Sequence, residues 1–137
     1  MYFNVKSGPF SDARVRLAAA LSVKREEIVK AAFFGRGRSL AGLPFAPGTP
    51  YFDKARSEGL AHDPARAKAL MAEAGHAAGF DCKLLATSTY GMIKSTAEVV
   101  ADNLAALGIR AELVLPDWAT RITMGNRGEL CRRMGDG

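Results

Sequence analysis

The sequence predicts an α/β fold, and the prediction depends mainly on one segment. The stretch CKLLAT (82–87) has the short apolar pattern of a strand, and IRAELVL (109–115) alternates apolar and polar residues. Between them, residues 92–107 carry apolar side chains at spacings of three and four, which is typical of an amphipathic helix. A strand, a helix and a strand with short connections form a βαβ unit, whose strands we expect to be parallel with a right-handed crossover.

The length and composition are those of one folded domain, which we place at 1–137. Of the 137 residues, 48% are hydrophobic and 24% are charged, enough apolar residues for a buried core. The apolar runs are short, so we expect no membrane-spanning helix. The first ten residues lack a basic stretch followed by an apolar one. We therefore expect either a cytoplasmic protein or a piece of a longer chain.

Two helices are predicted near the start of the chain. Ser11 or Asp12 can cap a helix that runs to about Leu21. Ser22 can then cap a second helix, VKREEIVKAAFF (23–34), whose first turns contain two glutamates where the helix dipole favours negative charge.

A long loop follows, from Gly35 to Phe52. It contains four glycines and three prolines, which disfavour regular structure. Gly35 itself suits the end of the preceding helix. Loops of this length are uncommon unless they are functional or lie over a surface.

The stretch AHDPARAKALMAEAG predicts a short helix. Asp63 is suited to cap it, Pro64 to occupy its first position, and Gly75 to end it in the left-handed conformation. Its apolar residues form one narrow face: Ala67, Leu70, Met71 and Ala74. We expect this helix to pack on a sheet or a neighbouring helix and to carry no chemistry.

The carboxyl ends of the two predicted strands are where we expect a ligand, because open α/β sheets bind ligands there. Those ends lead into STYG (88–91) and PDW (116–118). A tryptophan offers a large flat surface that is often half-exposed. Packing against the last helix is the alternative explanation for that tryptophan. The candidate ligand-binding residues are Ser88, Thr89, Tyr90 and Trp118.

The sequence has no pattern typical of catalysis or of a metal site. His62 and His76 have no second ligand at metal-binding spacing, and no GxSxG motif is present. Cys82 and Cys131 form no CxxC pair, and either a disulfide or two inert thiols would fit. We therefore expect no catalytic residue, no metal and no cofactor.

The net charge of +5 leaves open a basic nucleic-acid-binding module. The 19 lysines and arginines are scattered along the chain, however, with only the GRGR stretch and a mild excess near RGELCRR. A small α/β enzyme is a third alternative, although nothing in the sequence pairs a nucleophile with a base.

Several motifs, taken in order, resemble one family. They are FN (3–4), GPFSDARVRLAAALSVKREEIV (8–29), FGRGRSLAGLPFAPGTPYF (34–52), HDPARAKALMAEAG followed by GF, and AEVVADNLAALGIRAELVLPDWAT (97–120). Each motif alone is weak, but five in register are specific. The chain is similar, over about Phe3 to Gly128, to the peptide-, dipeptide- and nickel-type solute-binding proteins of bacterial ABC importers. Lys24 departs from the family pattern, which usually has Asp there.

The resemblance implies a fragment of a larger protein. Family members have two lobes that close over a ligand, and this chain matches a large part of the second lobe. It also implies that the parent protein is periplasmic, binds a peptide or a related small solute, and works with the membrane subunits of an ABC importer. Trp118 corresponds to a position that faces the cleft, and Ser88, Thr89 and Tyr90 border it. A dimer through an exposed hinge face is a further expectation, because a separated lobe would expose apolar surface.

The last nine residues depart from the family. Family members continue after the glycine that Gly128 matches with an aromatic residue, Asp and an apolar strand, whereas this chain reads ELCRRMGDG (129–137). We interpret residues 129–137 as a non-native or truncated tail. The acidic residue that grips a peptide amino terminus in some members would lie near the end of this chain, where Asp136 is the candidate.

Overall fold

The computed structural model describes residues 2–42, 44–45 and 47–128, together with the backbone of residues 132–133. Helices and strands alternate in its second half, as expected for an α/β fold. The elements, in chain order, are a 3-10 helix Pro9–Ser11, α1 Ala13–Ser22, α2 Arg25–Phe33, α3 Lys54–Glu58, α4 Pro64–Glu73, β1 Phe80–Leu85, α5 Gly91–Ala105, β2 Ile109–Val114, α6 Trp118–Asn126 and β3 Arg132–Arg133.

The predicted βαβ unit is confirmed. Strands β1 and β2 are parallel neighbours, paired from Phe80 opposite Ile109 to Leu85 opposite Val114, and α5 connects them. Strand β1 spans 80–85 rather than the predicted 82–87, because the ladder already begins where Phe80 N donates to the carbonyl of Gly108 at 3.2 Å. Strand β3 lies antiparallel on the other side of β1, giving the order β2-β1-β3.

Two glycines bring the starts of β1 and β2 together. Gly79 has φ +74°, and a Cβ atom placed on it would lie 2.0 Å from the carbonyl oxygen of Gly108. Gly108 has φ +77° and approaches Gly79 from the other strand. Both positions favour glycine for its backbone conformation, and Gly79 also requires it for space. The contact fixes the register of the strands and therefore which residues meet at their far ends.

The helices cover the sheet and each other. Helix α1 packs against α4, α2 packs against α5, and α5 also packs on β2. Helix α2 contributes buried Ala32, and its Ile28 packs against the main core cluster. That cluster consists of Phe10, Val15, Ala18, Ala19, Leu21, Val23, Ala67, Met71, Phe80, Cys82, Leu84, Ala86, Ala97, Val100, Leu104, Leu107 and Ile109. In the described part of the chain, no helix is both long enough and apolar enough to cross a membrane.

The predicted cap of the second helix is wrong. Ser22 is the last residue of α1, and its buried hydroxyl donates to the carbonyl of Ala19 at 2.8 Å. Helix α2 begins at Arg25, and its N-cap residue Lys24 makes no capping bond with its side chain. The Lys24 N–H instead donates to the side-chain oxygen of Asn103 on α5, at 2.6 Å. A tertiary contact thus replaces the local cap that the sequence suggested.

The other helix ends follow the predictions more closely. Asp12 caps α1 and Asp63 caps α4, each accepting a backbone N–H from two or three residues ahead. Gly75 is left-handed after α4, at φ +77°. The described residues of 35–52 contain no helix or strand, as predicted. Helix α3, capped by Asp53 through Arg56 N at 3.1 Å, was not predicted, because it is a single short turn without apolar periodicity.

Candidate functional site

The carboxyl ends of β1 and β2 lie side by side, because the strands are parallel and in register. The hydrogen bonding continues past both strands: Ala86 N donates to Val114 O at 2.9 Å, and Ser88 N donates to Pro116 O at 3.2 Å. The two connections that the sequence selected, 88–91 and 116–118, therefore start from neighbouring points. They form one edge of the sheet.

Thr87 fixes this edge from inside. Its side chain is fully buried, and its hydroxyl donates to Pro116 O at 2.9 Å. Because that proton is engaged, Thr87 Oγ1 acts as acceptor for the N–H of Thr89, at 3.2 Å. One hydroxyl thereby joins both connections. Thr87 was not among the predicted site residues, and its only sequence signal was its place at the end of an apolar strand.

Thr89 connects the first loop to helix α6. Its hydroxyl oxygen accepts the backbone N–H of Trp118 at 3.0 Å, across the two connections. Asp117 caps α6 by accepting Thr120 N at 3.1 Å and the Thr120 hydroxyl at 2.6 Å. Both bonds lower the pKa of Asp117 and so favour its ionised form, and the bond from the Thr120 hydroxyl has the larger effect. The start of α6, and with it Trp118, is therefore held in one position.

The rings of Tyr90 and Trp118 form an aromatic pair on this edge. Their centroids are 5.4 Å apart and the planes meet at 76°, an edge-to-face arrangement. Both remain accessible, with 46% of Tyr90 and 40% of Trp118 exposed. Met92, the second residue of α5, and Ile122, in the middle of α6, are also exposed large apolar side chains. We call Tyr90 and Trp118 the aromatic edge.

Arg121 adds a positive charge to the aromatic edge. Its guanidinium carbon lies 5.6 Å from the centroid of the Trp118 ring. The sequence analysis selected neither Arg121 nor helix α6. In α6 the spacing of three between Trp118 and Arg121 places both on one helical face.

The structure therefore brings together three of the predicted residues: Thr89, Tyr90 and Trp118. Ser88 lies in the same connection, with an exposed side chain and its backbone N–H bonded to Pro116. Asp136 falls outside the described residues. These residues present two half-exposed aromatic rings, hydroxyls and one guanidinium, groups whose chemistry suits stacking and hydrogen bonding.

The histidines and Cys82 lie elsewhere. His62 contacts the carbonyl of Leu21 through Nδ1 at 3.1 Å, and the His76 ring packs edge-on against Phe80 at 5.4 Å. Cys82 is buried in β1, while Cys131 lies outside the described residues, so their pairing stays a prediction. Over the described ranges, no three His, Cys, Asp or Glu side chains cluster in a way that could hold a metal ion.

A protein-family model matches residues 1–130, almost the whole chain. Its description is "Bacterial extracellular solute-binding proteins, family 5 Middle". This chain belongs to that family. Among curated members, the dipeptide-binding protein of Escherichia coli K12 is 30% identical over 131 residues, which cover 93% of this chain and 24% of that protein. The chain thus spans about a quarter of the length of this relative.

Solved structures of family members share the fold. The binding protein AgaA of A. tumefaciens R10, in complex with agropinic acid, superposes with a TM-score of 0.87 at 39% identity, covering 94% of this chain and 26% of that one. A dipeptide-binding protein of Pseudoalteromonas sp. SM9913, in complex with Met-Leu, gives a TM-score of 0.74 at 27% identity, over 94% and 26% of the two chains. The resemblance inferred from the five motifs and the α/β fold are both confirmed.

Proposed function

We propose that this chain forms one wall of the ligand cleft of an extracytoplasmic solute-binding protein that serves an ABC importer. The wall is the aromatic edge, Tyr90 and Trp118, with the Ser88 and Thr89 connection beside it. The observation that carries the proposal is the exposed edge-to-face pair at the carboxyl end of a parallel sheet, which is where open α/β sheets bind ligands.

The geometry suits binding better than catalysis. The hydroxyls of Thr87 and Thr89 are engaged in bonds that hold the two connections together, and Asp117 is engaged as a helix cap. None of these groups is arranged with a base and a nucleophile in reach of each other. Two half-exposed aromatic rings instead offer a preformed stacking surface. The proposed role is therefore capture of a solute without chemical change.

The solute we propose is a peptide or a related small molecule. One relative is named a dipeptide-binding protein and another, AgaA, was solved in complex with agropinic acid, so the family fold accommodates more than one solute. In the proposed arrangement this chain is a large part of one lobe, a second lobe closes over the solute, and the membrane subunits of an importer receive it. The proposed location of the whole protein is the periplasm.

The test uses NMR titration of the isotope-labelled chain with Met-Leu and, separately, with agropinic acid. A titration that reaches about 10 mM solute detects binding with a free energy as weak as about −3 kcal/mol. This sensitivity is needed because one wall of a cleft, without the opposite lobe, should bind weakly. We expect shift changes concentrated at residues 88–91 and 117–122. Trp118 is the single tryptophan of the chain, so its fluorescence reports on the same site.

Two tyrosine variants control the experiment. Tyr90→Ala removes half of the aromatic edge and should abolish the shift changes. Tyr51→Ala removes a tyrosine that is 73% exposed in the glycine- and proline-rich segment, and should leave them intact. If neither solute perturbs 88–91 and 117–122, or if both variants behave alike, the proposal is wrong.

The nucleic-acid alternative gains nothing from the relatives, which are named as solute-binding proteins. A gel-shift assay at low salt would detect it, because phosphate contacts are strongest there. We expect no shifted band.

A further inference from the structure

A cavity of about 240 Å³ lies between α4 and α5, near the amino end of β2. Its buried lining includes Asn103 and Leu107, which precede β2, whereas the aromatic edge follows the carboxyl ends of β1 and β2. Helix α4 contributes Pro64 and Lys68, and α5 contributes Asp102. The cavity is therefore separate from the proposed cleft wall.

Two side chains of opposite charge line this cavity without a partner of their own. In the part of the chain that the structure describes, Lys68 and Asp102 form no ion pair, either with each other or with a third residue. The other groups at the cavity are engaged: Lys24 pairs with Glu27 at 3.1 Å, and His62 contacts a backbone carbonyl through Nδ1 at 3.1 Å. A ligand with a single charge would be attracted by one of the two free charges and repelled by the other. A dipolar ligand would satisfy both.

The size and the apolar lining of the cavity define the rest of that ligand. Pockets for drug-sized ligands measure roughly 300–1,000 Å³, and this cavity is smaller. At about 30 Å³ per water molecule it has room for about eight waters, which is also the number of non-hydrogen atoms in free valine. Pro64, Ala106 and Leu107 supply apolar surface inside it. The ligand that fits is small, dipolar and partly apolar.

We propose that this cavity is a second binding site, for a free α-amino acid with a small apolar side chain such as valine. The Lys68 ammonium group donates to the carboxylate of the amino acid, and the Asp102 carboxylate accepts from its ammonium group. The side chain of the ligand lies against Pro64 and Leu107. Lys68 and Asp102 are both exposed, which limits the contribution of each charge to a few-fold in affinity. The site requires neither the aromatic edge nor a second lobe.

The experiment is an NMR titration of the isotope-labelled chain with three compounds of one shape. They are valine, 3-methylbutanoate, which is valine without its ammonium group, and isobutylamine, which is valine without its carboxylate. We expect valine to shift the signals of residues 22–24, 62–68 and 102–107. Each analogue should bind roughly three- to fivefold more weakly than valine, because it loses one of the two charge contacts.

Four variants assign the contacts. In Lys68→Gln, valine should bind no more tightly than isobutylamine, and in Asp102→Asn no more tightly than 3-methylbutanoate. Glu98→Gln removes the same negative charge from an exposed position one turn earlier on α5. Lys30→Gln removes the same positive charge from an exposed position on α2. Both controls should keep the wild-type preference for valine over its analogues.

Three results would overturn the proposal. The first is equal binding of valine and its two analogues to the wild-type chain. The second is the absence of shift changes at residues 22–24, 62–68 and 102–107 in a titration that reaches about 10 mM valine. The third is loss of the preference in the controls as well, because the effect would then come from net charge. The cleft wall is measured separately, at residues 88–91 and 117–122, and stands or fails independently.

Discussion

The hydroxyl of Thr87 donates to the carbonyl of Pro116, 2.9 Å away, and so joins the ends of two parallel strands beneath the aromatic edge. The same oxygen accepts the N–H of Thr89, whose own hydroxyl accepts the N–H of Trp118. Two threonines thus connect the Tyr90 side of the site to the Trp118 side. The aromatic rings are exposed, and of the two threonines that position them Thr87 is buried while Thr89 is exposed.

Thr87→Val tests this connection. Valine has nearly the same shape but leaves Thr89 N without its partner and Pro116 O with only the bond from Ser88 N, so we expect a loss of about 1–3 kcal/mol in the free energy of unfolding. Urea denaturation followed by circular dichroism measures it, and the fluorescence of Trp118 should change in the folded state. Thr123→Val, which removes an exposed hydroxyl bonded to its own helix, should stay within about 0.5 kcal/mol. Equal effects of the two variants would contradict the role of Thr87.

Gly79→Ala tests the close contact that sets the strand register. Gly75→Ala is the control, since both glycines have φ near +75° but only Gly79 meets another backbone, at 2.0 Å from the added Cβ to Gly108 O. We expect Gly75→Ala to cost about 1–2 kcal/mol from its backbone conformation alone. Gly79→Ala should cost about 2–3 kcal/mol more, because the strands must separate. Thermal unfolding of both variants gives the difference; no difference would mean that the contact relaxes freely.

Asn103→Leu tests the contact that replaces the cap of α2. Asn103 is only 6% exposed, accepts Lys24 N at 2.6 Å and donates to Glu27 at 3.3 Å. Leucine removes both bonds and leaves a partly buried N–H unsatisfied, so we expect a loss of about 1–3 kcal/mol in unfolding free energy. Asp102→Ala, at the exposed neighbouring position on α5, should change it by less than about 0.5 kcal/mol. A cost for Asn103→Leu no larger than that of the control would contradict this assignment.

We expect Asp12 to account for part of the loss of folding stability at low pH. Hydrogen bonds from the Arg14 side chain, and then from the Arg14 N–H, lower the pKa of Asp12 from 3.8 to about 2. A lowered folded-state pKa contributes stability that is fully present above pH 3.8 and is lost as the pH falls through about 2. Asp12→Asn keeps a capping side chain but removes this titration, so its urea midpoint should fall less between pH 4 and pH 2.

Arg14→Gln should also reduce the fall of the urea midpoint between pH 4 and pH 2, because the Arg14 side chain makes the largest contribution to lowering the pKa of Asp12, although the backbone N–H of residue 14 still bonds to it. If the urea midpoint falls between pH 4 and pH 2 by the same amount in both variants as in the wild type, Asp12 does not contribute to the acid sensitivity.

The βαβ unit could be predicted because its residues repeat with the period of each element. Alternation identifies β2, spacings of three and four identify α5, and both depend only on local sequence. The caps of α1 and α4 are local as well, since Asp12 and Asp63 accept N–H groups within three residues. The aromatic edge followed from topology: once two strands are parallel and in register, the connections after them must be neighbours.

Other features depended on distant partners and could not be read from the chain. Ser22 was predicted to cap α2, but α1 extends through it, and Asn103, far away in sequence, takes the Lys24 N–H instead. The role of Thr87 required knowing which carbonyl lies opposite the end of β1. The sequence by itself determined the α/β class and the family motifs, and it predicted that the connections after β1 and β2 are neighbours, because these depend on periodicity and connection order. Tertiary structure alone decided that Tyr90 meets Trp118 edge-on. It also decided that Arg121 lies over the indole, with no acidic partner among the described residues. Such contacts depend on side-chain positions that only packing fixes.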